Sequence, residues 1–289
     1  MNLTDRLYLA VHIVLTLVVL VQHERVEHWP GYLAWNLFAM AMIVLLARKR
    51  GDGKAWEFVH DWLPAVLFTT VFEEVSYLSL SIRGDWQNPH LIAFESLLFA
   101  IPPVQWMHRH TPSWLIELQE FGYFVFYLLY PVFGGIFWAW RDRKHFAGAF
   151  RRMTDALSIG YVLCYATYLL FPTQSPANRL GVQQIASSHG GPFQTMVQLV
   201  QNHGGVHGNA FPSAHIMLAF VVLVFVTRFL SWAAPWVLAA NLLMCLGAVY
   251  DGYHYTSDAV AGALIGILIG YGFATRVPTP KQNPRAGEG

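Results

Sequence analysis

Residues 204–215 read Gly204-Gly205-Val206-His207-Gly208-Asn209-Ala210-Phe211-Pro212-Ser213-Ala214-His215 and lead directly into an apolar run, 216–226. Serine is a good helix cap and proline suits a first helical turn, so the pattern predicts that a helix begins here with His215 at its N-terminus. Free backbone N–H groups and the helix dipole favour an anion at such a position. The backbone at Ser213 and Ala214 is therefore a candidate phosphate-binding site.

A second polar block, Tyr253-His254-Tyr255-Thr256-Ser257-Asp258, opens another apolar run. The four-residue spacing places His254 and Asp258 on one helical face. A carboxylate there can accept one ring N–H of His254, which leaves the other nitrogen free to attack. The pair alone could equally be structural. Two histidines at two predicted helix starts make catalysis as good an interpretation as a structural role, because polar groups near hydrocarbon are costly and tend to mark function.

Composition places the chain in a membrane. Apolar residues make up 55% of it and charged residues 12%, and several windows approach the roughly 20 apolar residues that cross a bilayer. The predicted fold is all-α, a polytopic membrane helix bundle of about eight transmembrane helices. The predicted spans are 3–22, 32–47, 62–82, 119–140, 155–171, 213–229, 234–250 and 256–274. Two cysteines, Cys164 and Cys245, lie inside apolar segments, where we expect them to be small core residues.

A further apolar run, 91–107, contains Glu95 and the pair Pro102-Pro103, and we expect it to lie in the interface or to re-enter. If it crossed, the basic clusters at 48–54 and 141–152 would fall on opposite sides, against the cytoplasmic excess of Lys and Arg. Without it, fourteen of the eighteen Lys and Arg residues lie inside. Both termini are then cytoplasmic, and the polar blocks meet at the outer face.

The chain divides on this basis into three parts. We expect a two-helix transmembrane hairpin over residues 1–54, a six-helix membrane core over 55–277 and a disordered tail over 278–289. Residues 192–202 carry apolar side chains at helical spacing and predict an interfacial helix. It is either a lid or a loop packed on the bundle, and we favour packing.

Another polar block precedes these two and is the first in chain order, Phe171-Pro172-Thr173-Gln174-Ser175-Pro176-Ala177-Asn178-Arg179. The blocks 204–215 and 253–258 are then the second and the third. Together the three blocks resemble the type 2 phosphatidic acid phosphatase superfamily, and most closely its inositol phosphorylceramide synthase-like branch. The superfamily's Pro-Ser-x-His motif stands here at 212–215, and its His-x-x-x-Asp motif at 254–258. The resemblance implies a histidine nucleophile, His254, its orienting acid, Asp258, and a second histidine, His215, that protonates the leaving group.

Two departures separate the chain from the phosphatase branch. That branch has Lys, six residues, then Arg-Pro in its first block, where this chain has the Phe-Pro-Thr form ending on Arg179. A Ser-Arg pair ahead of the third block is Gly247-Ala248 here. One cation thus replaces three, which favours the synthase-like branch. Arg179 can hold two phosphate oxygens with its planar fork, although a cation reaching toward lipid headgroups is the alternative.

Four further residues are candidates for substrate binding. Thr173 and Asn209 can supply neutral donors, although loop capping is the more common role. Glu73 and Glu74 lie in the middle of a predicted span, where an acid is a functional candidate by default. Contacts to headgroup hydroxyls and a buried pair with Arg83 or Tyr77 are equally good interpretations.

The resemblance implies a membrane-embedded phosphotransferase that moves a phosphorylated head group between lipids through a phosphohistidine, with no cofactor. No tight His or Cys pair predicts a metal site. The partners would be a phospholipid donor, a lipid or alcohol acceptor and the bilayer, with no nucleic acid. The alternatives are a lipid phosphate or polyprenyl diphosphate phosphatase and, in another class, a non-catalytic lipid-binding or transport protein. We expect an integral protein of a bacterial inner membrane, with the site facing the periplasmic side.

Overall fold

The computed structural model describes residues 1–177, 191–204 and 208–277, with only the backbone for 201–204. These residues form helices joined by turns, with no strand among them. The helices are α1 (Leu3–Val21), α2 (Trp29–Lys49), α3 (Lys54–Arg83), α4 (Asn88–Leu98), α5 (Pro103–His110), α6 (Ser113–Leu129), α7 (Gly135–Ala139), α8 (Ala149–Leu170), α9 (Pro192–Gly204), α10 (Ala214–Phe229), α11 (Ala234–Tyr250) and α12 (Thr256–Ala274). The predicted all-α bundle is confirmed.

Within the described ranges, six helical stretches are long and apolar enough to cross a membrane. They are Leu3–Val21, Trp29–Asp52, Lys54–Arg83, Ser113–Ala139, Ala149–Leu170 and Thr256–Ala274. Two shorter apolar helices, α10 and α11, complete the eight predicted segments, and the count of eight spans stays a prediction. The run 91–107 breaks into α4 and α5 with a turn at its prolines, and each helix is too short to span.

Several helices begin well before the predicted spans. Helix α3 starts at Lys54 instead of residue 62, and α8 starts at Ala149 instead of 155. The first turns of both helices carry charged side chains, among them Glu57 and Arg151. Charge marks where a helix leaves the hydrocarbon and does not end the helix itself, so these helices extend beyond the predicted spans.

Close packing of α10 on α12 depends on glycines spaced four residues apart. A Cβ added at Gly262 would lie 2.4 Å from the carbonyl oxygen of Ser213, and one added at Gly266 would lie 2.4 Å from that of Met217. At Gly270 the nearest atom would be 3.1 Å away. Small residues at this spacing let two helix backbones touch. The start of α10 is thereby held against the first turns of α12.

A buried polar chain joins the N-terminal hairpin to α3. Asn36 on α2 donates from Nδ2 to Glu74 Oε1 at 2.6 Å, and its Oδ1 lies 2.5 Å from His12 Nδ1 on α1. All three side chains are at most 2% exposed. Unpaired polar groups in hydrocarbon are costly, so these contacts favour one register of the hairpin on the core.

The predicted interfacial helix is present as α9 and packs on α6. The Phe193 ring lies 5.0 Å from Phe121 and 6.0 Å from Phe124, and its backbone N–H donates to Glu117. Val197 is fully buried. These contacts agree with the packing interpretation of this segment.

Candidate active site

The three polar blocks of the sequence lie together at one end of the bundle. Phe211 N–H donates to Thr173 Oγ1 at 2.9 Å, and Ala210 N–H donates to the Thr173 carbonyl at 3.1 Å. Ala177 N–H in turn donates to the carbonyl of Gly252 at 2.8 Å. The block 171–179 is thus bonded to the block 204–215 and to Gly252, the residue just before the block 253–258, so segments 75 residues apart in sequence form one structure.

The hydrogen bonds of His254 decide which of its ring nitrogens carries the proton. Nδ1 lies 3.0 Å from the carbonyl oxygen of Ala210, and Nε2 lies 3.0 Å from Ser213 Oγ. A carbonyl oxygen only accepts, so Nδ1 holds the hydrogen. Nε2 then has a free lone pair, which accepts the hydroxyl hydrogen of Ser213. His254 therefore presents an unprotonated nitrogen to the space beside Ser213.

Burial keeps this imidazole neutral. His254 lies in the turn between α11 and α12, outside the spanning helices, and is 5% exposed. Loss of hydration lowers its pKa from 6.5 to about 4, against a smaller opposing effect of its hydrogen bond to Ala210. At neutral pH the lone pair on Nε2 is available for attack.

Asp258 lies close to His254 but is not its main hydrogen-bond acceptor. Its Oδ2 is 3.6 Å from Nδ1 and instead accepts the backbone N–H of Tyr255 at 2.8 Å. Its own carbonyl accepts the N–H of Ser213 at 3.2 Å. The Asp258 side chain therefore shapes the start of α12 beside the ring. The orienting acceptor predicted at Asp258 is, in the structure, the carbonyl of Ala210.

His215 faces the same space from the first turn of α10. Its ring centroid is 6.2 Å from that of His254, 5.2 Å from Phe126 and 5.6 Å from Phe72. Both phenylalanine contacts are edge-on, which fixes the plane of the imidazole. An attacking nitrogen needs about 3–3.5 Å to phosphorus and a proton donor about 3 Å to the leaving oxygen. The two imidazoles are therefore neighbours at the starts of α10 and α12.

The helix start at Ser213 differs in part from the prediction. Ser213 caps α10 as predicted and accepts the N–H of Ile216 at 3.3 Å, but Pro212 precedes the cap and does not lie in the first turn. The N–H of Ser213 is already donated to Asp258, and Ala214 is 1% exposed beside the Tyr168 hydroxyl. The hydroxyl of Ser213 is the donor this turn offers to a phosphate.

The remaining candidates fall in different places. Arg179 lies outside the described residues. Thr173 and Asn209 serve the loop architecture, since Thr173 accepts from Phe211 and Asn209 Nδ2 donates to the Phe72 carbonyl at 2.9 Å. Glu74 faces α2, where it accepts a hydrogen bond from Asn36. It points away from the site, because Phe72 contacts His215 and residues two apart point to opposite sides of a helix. The exposed Glu73 lies elsewhere on the surface of α3.

Sequence reasoning missed two residues of the re-entrant segment. Glu95 on α4 accepts both the backbone N–H of Ser257, at 2.8 Å, and its hydroxyl, at 3.0 Å. Asn88 binds the backbone of Gln174 in both directions and donates to the Tyr255 hydroxyl at 3.1 Å. An acid inside the apolar run 91–107 was a signal that this run contacts a polar site.

A buried carboxyl was also missed, three residues before His254. Asp251 is 3% exposed and faces Glu120 of α6. Burial, together with this acidic neighbour, raises the pKa of Asp251 well above its usual value. Among the described residues, no group of three or more His, Cys, Asp or Glu side chains is arranged to hold a metal ion.

Comparison with known proteins places the chain in a family. A family model described as PAP2 superfamily matches residues 90–272, well over half of the chain. The chain belongs to the PAP2 superfamily. No curated protein and no solved structure gives a significant match. The matched region of this PAP2 protein begins within α4 and contains all three polar blocks, whereas α3 lies before it.

Membership in the PAP2 superfamily gives the chain its class of chemistry, that of phosphatases and phosphotransferases acting on lipid phosphates. The long apolar helices make it an integral membrane protein.

Proposed function

We propose that this PAP2 protein is a lipid phosphotransferase that moves a phosphorylated head group to a lipid or alcohol acceptor, similar to inositol phosphorylceramide synthase. The observation that carries the proposal is the hydrogen bonding of His254, which leaves the Nε2 lone pair directed at the space shared with His215. Arg179, just beyond the described part of the first block, is proposed to hold the phosphate oxygens.

The first half-reaction forms a phosphohistidine. The Nε2 lone pair of His254 attacks phosphorus, the bond from phosphorus to the leaving oxygen breaks, and His215 gives that oxygen a proton. His215 takes up this proton when the phosphate anion binds, because a neighbouring negative charge favours the protonated imidazole. The ring of His254 becomes positively charged as the bond forms. The Ala210 carbonyl at 3.0 Å and the Asp258 carboxylate at 3.6 Å both stabilise that charge.

The second half-reaction restores the enzyme. The acceptor hydroxyl attacks phosphorus, neutral His215 takes its proton, and the bond between phosphorus and Nε2 breaks so that the electron pair returns to His254. The Ser213 hydroxyl, released from Nε2 while the intermediate exists, can donate to a phosphate oxygen. His215 thus returns to its protonated form for the next cycle.

Burial of the site supports transfer over hydrolysis. Ser213, Thr173 and Asp258 are fully buried, and His254 is 5% exposed. A phosphohistidine in such surroundings is shielded from water, while a lipid hydroxyl can approach from the bilayer. The replacement of two phosphatase cation motifs points the same way.

Product analysis tests the proposal. Purified protein is given labelled phospholipid donors with and without candidate acceptors, and the products are identified by lipid mass spectrometry. We expect a new phospholipid only when an acceptor is present. Release of free phosphate without an acceptor would identify a phosphatase, and the absence of any product would identify a binding protein.

Two variants test the roles of the histidines. His254→Ala and His215→Ala should each lower turnover by at least about a thousandfold, because one removes the nucleophile and the other the proton donor. His110→Ala, an exposed histidine at the end of α5, is the control and should keep full turnover. Retained activity in a folded His254→Ala protein would exclude the phosphohistidine route.

A further inference from the structure

A cavity of about 470 Å³ lies at the end of the bundle opposite the candidate active site. Its walls include Leu3 at the start of α1, Gly148 just before α8 and Val277 just after α12. Helix α8 runs from this cavity to the first polar block, and its 22 residues cover about 33 Å. The two sites are therefore separated by about the thickness of a bilayer.

Three arginines face this cavity. Arg151, Arg152 and Arg276 line it together with a single carboxylate, Asp155, which accepts the Thr4 hydroxyl at 3.0 Å. No side-chain hydrogen bond or ion pair joins any of the three guanidinium groups to another residue in the described part of the chain. Arg276 lies over the Phe273 ring, 5.2 Å from its centroid, and Asp155 is the acidic neighbour of Arg151 and Arg152. The formal charge around the cavity is thus positive, with three cations to one carboxylate.

The surroundings indicate the depth of the cavity. It lies where two apolar helices begin and a third ends, the level at which phospholipid phosphates meet a spanning protein. Leu3, 38% exposed, provides an apolar surface beside it. The N-terminus of α8 opens onto the same space without a side-chain cap, which adds to the positive potential.

We propose that this cavity binds the phosphate of an anionic phospholipid from the leaflet on that side, independently of the catalytic proposal. Three guanidinium groups against one carboxylate select a lipid with net negative charge. A zwitterionic lipid would bring its own cation next to the arginines and bind less tightly. The distribution of basic residues makes this the cytoplasmic leaflet.

A charge-matched pair of variants tests the proposal. Arg151→Gln/Arg276→Gln removes two cavity cations, and Arg48→Gln/Arg143→Gln removes two cations at the same end of the bundle but outside the cavity. Binding of dioctanoyl phosphatidylglycerol to the full-length protein in a neutral detergent is measured by native mass spectrometry. A surface cation contributes about fivefold to such binding, so the cavity double variant should bind about 25-fold more weakly, and the control within threefold of wild type.

The other arms separate the possible ligands. Dioctanoyl phosphatidylcholine, which is zwitterionic, should bind at least tenfold more weakly than dioctanoyl phosphatidylglycerol. Equal losses in both double variants would show general surface charge and overturn the site. Displacement of the lipid by an equal concentration of inorganic phosphate would identify a free-phosphate site and overturn the lipid assignment. If the double variant does not fold, Arg151→Gln and Arg276→Gln singly should each weaken binding about fivefold.

Discussion

Substitution of Gly262 by alanine should damage the site from a distance. The new Cβ would lie 2.4 Å from the Ser213 carbonyl oxygen, whereas ordinary contacts begin at 3.4 Å. The start of α10 must therefore move by about 1 Å relative to α12. That movement separates Ser213, on α10, from His254, which is fixed to the start of α12. Misplacement of catalytic groups by about 1 Å can lower a rate about a hundredfold.

We expect Gly262→Ala to lower the rate of phosphoryl or head-group transfer about a hundredfold and to destabilise the fold by about 1–3 kcal/mol through overpacking. Rates are measured with the donor and acceptor that give product in the assay above, and stability by thermal unfolding. Gly272→Ala is the control, because nothing lies within 4 Å of its added Cβ, and alanine favours the helix. A Gly262→Ala rate within twofold of wild type would refute the reasoning, as would equal losses in both variants.

Three further changes test separate contacts. His254 has a folded-state pKa of about 4 against 6.5 when unfolded, so the unfolded chain binds more protons between these values. The free energy of unfolding is therefore full above pH 6.5 and falls by about 3 kcal/mol as the pH drops from 6.5 to 4. Thermal unfolding over this range should show a smaller fall in His254→Gln. Glu95→Ala should lower the free energy of unfolding by about 1–2 kcal/mol, since Ser257 loses both hydrogen bonds at a helix start, whereas Glu95→Gln, which keeps an acceptor oxygen, should lose less than half as much. Glu74→Gln should leave the transfer rate within twofold of wild type, because this side chain faces Asn36 and not the site; a tenfold loss would instead support substrate contact.

The sequence was informative where the physics is local. Apolar periodicity and length placed the helices, and the Ser213 cap followed from the preferences of a single residue. The run 91–107 is divided near Pro102 into two short helices, which agrees with the expectation that it does not cross the membrane. Helix ends were the weak point, because charged first turns such as that of Arg151 continue the helix beyond the hydrocarbon.

Contacts that depend on the path of the backbone could not be predicted in this way. The partner of His254 is a main-chain carbonyl, that of Ala210, and every residue type has one. Glu74 has Asn36 as its partner, instead of Arg83 or Tyr77, because of how the hairpin docks on α3. The four-residue spacing of Gly262 and Gly266 was visible in the sequence, but only the neighbouring helix shows which backbone they admit.

Direct contact between the backbones of α10 and α12 has a consequence for how the enzyme distinguishes lipids. The imidazole of His215 is carried on one of these helices and that of His254 at the root of the other, so their separation is set when the chain folds. Two imidazoles held at a fixed separation can contact only the phosphate group, which is common to many head groups. Under the proposed mechanism, discrimination between substrates must then reside in the less tightly packed segments around the histidines. Exchanging those segments between relatives should change substrate preference while leaving the chemistry intact.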